Sequence, residues 1–296
     1  MLDDARWGDD PRDRDDDQRD RDRDPVDPRD VFSHDVDLPQ GLEREIVRDR
    51  EHEYELRGSE SRTLSTVGAF RVVAGRDLSD HDGRPCDPRR GDLRHLREEG
   101  LVRTVPLEGQ RDVAVVLTDR GRELLEARRR DKDDSRERRQ EFYADLKKPR
   151  EVEHDVQVYR AYEREAERLQ ERGARVERVV LDYELKRDYQ RFLQERNRGR
   201  SDSDGRPDRD QSEIQDWARD RDLPYFDGHV HFPDVRIEYR DQDGRLDHED
   251  IEVTTLHYRG QHGAAAARSG FTSFRGSSAR TGGSSIDPDL AAELFR

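Results

Sequence analysis

Two carboxylates are placed where side chains can act together. Residues 229–239 and 250–256 read as strands, and Asp243-Gly244 between them is a tight-turn signal, so the pair forms a hairpin. Because side chains alternate across a strand, Val235, Ile237 and Tyr239 share one face, as do Ile251 and Val253. The opposite face presents Asp234 beside Glu252, with Arg236 and Thr254. Either these carboxylates form a site, or they pair with Arg236 and Arg259 in a small α/β domain. His229 and His231 fall on one strand face and, with His248 or His257, have the residue types for zinc, although paired exposed histidines are usually incidental. A second group is basic. Around the buried stripe of Leu93 and Leu96, a helix between residues 88 and 100 exposes Arg89, Arg90, Arg94 and Arg97, while Arg103 and Arg111 lie on the hairpin that follows. The planar fork of arginine matches phosphate oxygens and guanine edges. The competing partners are Asp92, Glu98 and Glu99. His95 reads as a helix-surface residue.

The elements that position these groups come from a chain of unusual composition. Of 296 residues, 44% are charged and 30% are hydrophobic, with 57 Lys+Arg against 72 Asp+Glu, a formal charge of −15. Such a chain cannot spread one core evenly along its length, so its apolar residues must sit in islands. No apolar run approaches the ~18–20 residues that span a bilayer, and the acidic start lacks the apolar stretch of a signal peptide. Cys86 is the only cysteine, which excludes an intrachain disulfide and a cysteine zinc cluster. The expectation is a cytoplasmic protein without a membrane partner. Lysine occurs only at 132, 147, 148 and 186, so arginine carries nearly all the basic charge; a mutational bias toward Arg and Asp in the gene explains this better than selection for phosphate binding.

Residues 1–56 form an acidic disordered arm and a transitional segment. The first thirty residues hold thirteen Asp and seven Arg, which keep the protein soluble or mimic nucleic acid. The first island, 57–131, has Leu64, Val67, Phe70 and Val73 at helical spacing, a short turn near Asp77-Leu78, and the Leu93/Leu96 helix ending at Gly100. Strands at 102–105 and 113–117 and a helix from Thr118 follow. Residues 132–150 are a charged helical linker. The second island, 151–275, starts with a long amphipathic helix from Val152 to Gly173, then a strand at 176–181 and a helix marked by Tyr189, Phe192 and Leu193. A polar loop spans 197–212, and Ile214–Trp217 starts a short helix before the hairpin. A small-residue helix, 258–268, and a last strand, 271–274, complete the island. In the flexible tail, 276–296, Asp287-Pro288 opens a short helix whose Leu290, Leu294 and Phe295 could dock on this protein or on a partner.

The fold class expected is thus α+β. Leu93-x-x-Leu96-x-x-x-Gly100-Leu101-Val102, followed by Leu117-Thr118-Asp119-Arg120-Gly121-Arg122-Glu123-Leu124-Leu125, resembles the winged helix-turn-helix regulators. That resemblance implies that the helix before Gly100 enters the major groove of double-stranded DNA and that the hairpin touches the flanking backbone. Gly91 blurs where this helix begins. Over 57–131 sixteen Arg face fourteen acidic residues, a local +2 that agrees with DNA contact. Winged helices also serve as dimerisation or protein-docking modules, so a homodimer is compatible.

The second island resembles the PD-(D/E)XK nuclease superfamily in its element order, with Pro233-Asp234 as the first motif and Glu252-Val253-Thr254 as the second. The resemblance implies that Asp234 and Glu252 hold Mg²⁺ and stabilise a phosphate under attack. The motif lysine is replaced by Thr254; Lys186, Arg259 or Arg268 could supply a cation from another element, and Glu184 a third carboxylate. The two islands together resemble the replication-relaxation family of plasmids and mobile elements. This implies a DNA-binding role in element replication or control with a degenerate nuclease-like domain. The alternatives are an active metal-dependent DNA endonuclease and a protein-docking regulator without DNA contact.

Overall fold

The computed structural model describes residues 30–49, 52–108, 110–130, 139–146, 152–198, 208–254 and 268–276. Expectations for the arm before Asp30, for the small-residue helix up to 267 and for the tail after 276 lie outside these residues. Among the described residues, no helix is long and apolar enough to cross a membrane.

The protein is α+β. Helix α1 (Asp30–Ser33) and the hairpin β1 (Glu45–Asp49)–β2 (His52–Leu56) precede α2 (Gly58–Phe70), strand β3 (Val73–Ala74) and a 3-10 turn at Gly75–Asp77. Next come α3 (Gly91–Glu98), β4 (Val102–Pro106), β5 (Val113–Leu117) and α4 (Asp119–Ala127), with the strands in antiparallel order β3-β5-β4. Leu64, Val67 and Phe70 are all shielded from solvent on α2, but Val73, expected on the same helix face, lies beyond its end in β3. Gly100, with φ of 71°, terminates α3 as a left-handed residue. Thr118 caps α4 by accepting from the Gly121 amide at 3.1 Å, and its hydroxyl donates to the Gly100 carbonyl at 2.7 Å.

The second half starts with α5 (Val152–Glu171), β6 (Arg175–Leu181) and α6 (Asp182–Gln194). It continues through α7 (Gln211–Arg219), the short pair β7 (Tyr225–Phe226) and β8 (His229–Val230), then β9 (Val235–Arg240), β10 (Leu246–Thr254) and β11 (Thr272–Arg275). The main sheet has the order β11-β10-β9-β6, with β10 and β11 parallel and the other pairs antiparallel. The strand expected over 229–239 is broken. Asp227 and Gly228 both have positive φ, so β8 folds back on β7, and Pro233, which has no amide hydrogen, separates it from β9.

The expected separation into islands also changes. Residues 30–56 are not merely transitional, because Phe32, Val36, Leu38, Val47, Tyr54 and Leu56 are buried. They join an apolar cluster that runs from α2 through α5 into β6, β9 and β10. At its centre Phe70 of α2 packs on Tyr159 and Tyr162 of α5, with ring centroids 5.0 and 4.8 Å apart. Residues 139–146, expected within a charged helix, are not helical. The Gln140 side chain there donates to the Val179 carbonyl and accepts from its amide, while the Tyr143 amide reaches the Gly68 carbonyl at 2.8 Å. This segment ties both halves together. A linker predicted from its charge is in part a core staple, because one apolar ring, Phe142, and one buried amide suffice to anchor it.

Candidate functional site

The basic group is gathered at a groove. Helix α3 and strand β4 border a cavity of about 470 Å³ lined by Arg89, Arg94, Arg97 and Arg103, with Glu98 the single acidic residue in its wall. Four of the six sequence-predicted arginines meet there. Arg90 is exposed nearby, 3.2 Å from Asp87, and Arg111 is exposed on the β4–β5 turn, so neither lines the groove. Arg89 and Arg90 do not lie on the helix itself. Gly91 opens it with φ of 63°, a left-handed conformation that requires glycine at that turn, and Arg90 is the cap residue before it. The partners of the groove arginines are weak. Arg94 pairs with Glu98 at 2.7 Å and Arg103 with Asp145 at 2.9 Å, both in solvent, and Arg97 donates to the Pro88 carbonyl. Exposed pairs of this kind contribute at most about 1 kcal/mol, so an incoming anion can replace them.

Beneath this surface α3 is held by two fully buried carboxylates. Asp92 accepts from Ser59 Oγ at 2.6 Å and from the His81 amide at 2.9 Å, with His81 Nδ1 at 2.8 Å. Glu60 accepts from Arg44 Nη2 at 2.7 Å and lies 2.9 Å from His95 Nδ1. His95 is therefore a half-buried anchor of α3 on α2 rather than a free surface residue. Asp92, expected as a partner of the exposed arginines, faces inward instead.

The carboxylate pair is also brought together, at the end of β9 where the β9–β10 ladder stops at Val235 and Ile251. Past that point the Asp234 side chain substitutes for a strand carbonyl: its Oδ2 accepts from the Val253 amide at 2.7 Å, and its Oδ1 lies 3.2 Å from His154 Nε2. Burial pushes Glu252 up to about 7, the charge of Asp234 adds to this, and His154 and Lys186 pull against it. Burial opposes a charge on His154, but the hydrogen bond to Asp234 and that carboxylate's charge outweigh it and raise His154 above its ordinary value. Lys186 is 2.6 Å from Asp182 at the start of α6, and the Asp182 amide donates to the Asp234 carbonyl. One locus thus holds Asp234, Glu252, His154, Asp182 and Lys186.

Sequence reasoning missed His154 and Asp182. His154, Val158 and Tyr162 follow at four-residue steps on the buried stripe of α5, which was the available signal. Glu184 is not part of this locus. It turns toward Arg178 and Tyr143, both at 3.4 Å, and burial pushes it up to about 7 despite Arg178. Arg236 pairs with Asp250 at 2.7 Å rather than with Asp234, and Arg268 pairs with Asp227 at 2.6 Å; Arg259 lies outside the described residues.

Among the described residues no three His, Cys, Asp or Glu side chains are arranged to hold an ion. Of the two carboxylates expected to hold Mg²⁺, Asp234 has both oxygens in contact with protein groups, the Val253 amide and His154. For zinc, His231 stacks on Phe226 at 3.6 Å between centroids while His229 Nδ1 faces the Asp227 carbonyl, and His257 lies outside the described residues. The chain matches no known protein family, no curated protein sequence and no solved structure.

Proposed function

We propose that this is a cytoplasmic DNA-binding protein of the replication-relaxation type, which engages double-stranded DNA through α3 and the groove beside β4. The observation that carries the reading is the convergence of Arg89, Arg94, Arg97 and Arg103 on one concave surface. The path from α2 through β3, the 3-10 turn, α3, the β4–β5 hairpin and α4 supports a winged helix, and a long helix α5 before the mixed sheet β11-β10-β9-β6, with β11 parallel to β10, supports a nuclease-like second half, although α6, α7 and the β7–β8 pair intervene between β6 and β9. Phosphate contacts release counterions, so the slope of log affinity against log salt measures how many are made, at about −0.9 per contact. Replacing Arg94, Arg97 and Arg103 together by Ala is expected to weaken duplex binding and flatten that slope by roughly two to three units. Unchanged affinity and slope would sink the assignment.

The raised carboxyl of Glu252 beside His154 favours a second reading, hydrolysis of a phosphodiester. A group that titrates near 7 can take the proton of an attacking water, and Lys186 and a protonated His154 supply positive charge next to it. The test is DNA cleavage with and without added Mg²⁺ or Mn²⁺ by the wild type, Glu252→Gln and His154→Ala. Cleavage that survives both substitutions, or none by the wild type, removes this reading.

A further inference from the structure

The groove is basic, while the chain leading to the fold is the opposite. Residues 1–30 hold thirteen Asp and seven Arg, and within 9–17 the imbalance is six Asp to two Arg. That stretch has the property that the groove would recognise in DNA, closely spaced negative charge. We infer that residues 1–29 occupy the arginine groove of the same molecule as a nucleic-acid mimic and hold down its affinity for DNA. The inference rests on the DNA-binding reading of that groove and adds its regulation.

Three observations favour this occupant over a separate acidic protein. Among the described residues the groove arginines meet exposed pairs and a carbonyl, which aspartates can exchange for at little cost. Reach is no obstacle: twenty-nine extended residues span about 100 Å, several times the ~18 Å radius of gyration of a fold of this size. Tethering also supplies an effective concentration of about millimolar, which a free partner must match to compete. The seven arginines interspersed in the segment limit its net charge, so the contact is weak enough for DNA to displace.

The test uses the full chain. In one variant Asp9, Asp10, Asp13, Asp15, Asp16 and Asp17 become Asn; in a second, Arg94, Arg97 and Arg103 become Ala. If the segment occupies the groove nine-tenths of the time, the Asn variant binds a DNA duplex about tenfold more tightly than the wild type. Tryptic cleavage after Arg6 to Arg29, followed by mass spectrometry, reports whether the segment is held, since cleavage tracks the open population. It is expected to accelerate in both variants and on addition of duplex DNA. Equal DNA affinity of wild type and Asn variant overturns the inference but leaves the DNA-binding reading intact. Tighter binding without any change in cleavage also overturns it, because the aspartates then act by repulsion from a distance. If neither protein binds DNA, both readings fall.

Discussion

At Glu252, burial and the charge of Asp234 favour the neutral acid, and that preference has a cost for the fold. A carboxyl raised to about 7 in the folded protein binds more protons than the unfolded chain between about pH 4.5 and 7, so stability falls as pH rises through that window. Glu184, also raised to about 7, adds a loss of the same sign. His154 does too: its raised value stabilises the fold below about 6.5, and that contribution disappears as pH climbs through its folded value. The protein is therefore expected to be less stable at pH 8 than at pH 5. Glu252→Gln mimics the neutral acid, so it should be more stable than the wild type by about 1–3 kcal/mol at pH 8 and about equal to it at pH 5. Urea unfolding at the two values checks this; an equal deficit of the variant at both would show that Glu252 is charged in the fold.

Among the elements, α4 and α3 are set by glycines for different reasons. A Cβ at Gly121 would collide with the Leu101 carbonyl, because the first turn of α4 lies in close backbone contact with the residue that leads into β4. A Cβ at Gly91 would meet only Asp80, 3.7 Å away, and the obstacle there is the positive φ. Gly121→Ala is expected to cost about 2–3 kcal/mol through displacement of α4, and Gly91→Ala about 1–2 kcal/mol through strain alone. Thermal or urea unfolding of both variants separates the mechanisms, with equal losses contradicting it. The same contrast explains what could be read from sequence. Leu64/Val67/Phe70, the Gly100 stop and the helix start at Thr118 are local signals that find α2, α3 and α4, but Val73 falls in β3 and Arg89 and Arg90 precede α3. Asp227-Gly228 carries the same turn signal as Asp243-Gly244, but it stands just before the apparent strand 229–239, whose run of strand-like residues hid the break at Pro233 before Asp234. Asp234 and Glu252 were legible as neighbours because period-two alternation fixes which side chains adjoin. His154 and Asp182 come from two helices remote in sequence, and the four-arginine groove depends on how α3 leans on β4. The four-residue steps of α5 put His154 on a buried stripe, but no spacing along the chain says which residues from other elements meet it or how the groove closes.

Across the whole molecule, one core and a large negative charge determine what can be separated. Phe70 is covered by Tyr159 and Tyr162, Gly68 by Phe142, and Asp77 by Arg160 at 2.6 Å, all contributed from beyond residue 131. A fragment of residues 57–131 exposes that apolar face, and circular dichroism is expected to show no cooperative melt; a sharp transition would establish an independent domain. Charge then gives a prediction with two opposite signs. A net −15 makes the compact state repel itself over distances that dilute salt leaves unscreened, since the Debye length is about 30 Å at 0.01 M and about 3 Å at 1 M. Ion pairs in direct contact, such as Arg160–Asp77, are partly shielded from that screening. Raising KCl from 0.01 to 1 M is therefore expected to raise Tm by several degrees. Over the same series DNA affinity should fall, with a log–log slope of about −4 if the four groove arginines each contact a phosphate. A Tm that falls with salt would mean that the local pairs outweigh the net repulsion. An affinity insensitive to salt would remove the phosphate contacts, and with them the proposed role of the groove, whose four arginines are the local exception in a chain of net charge −15.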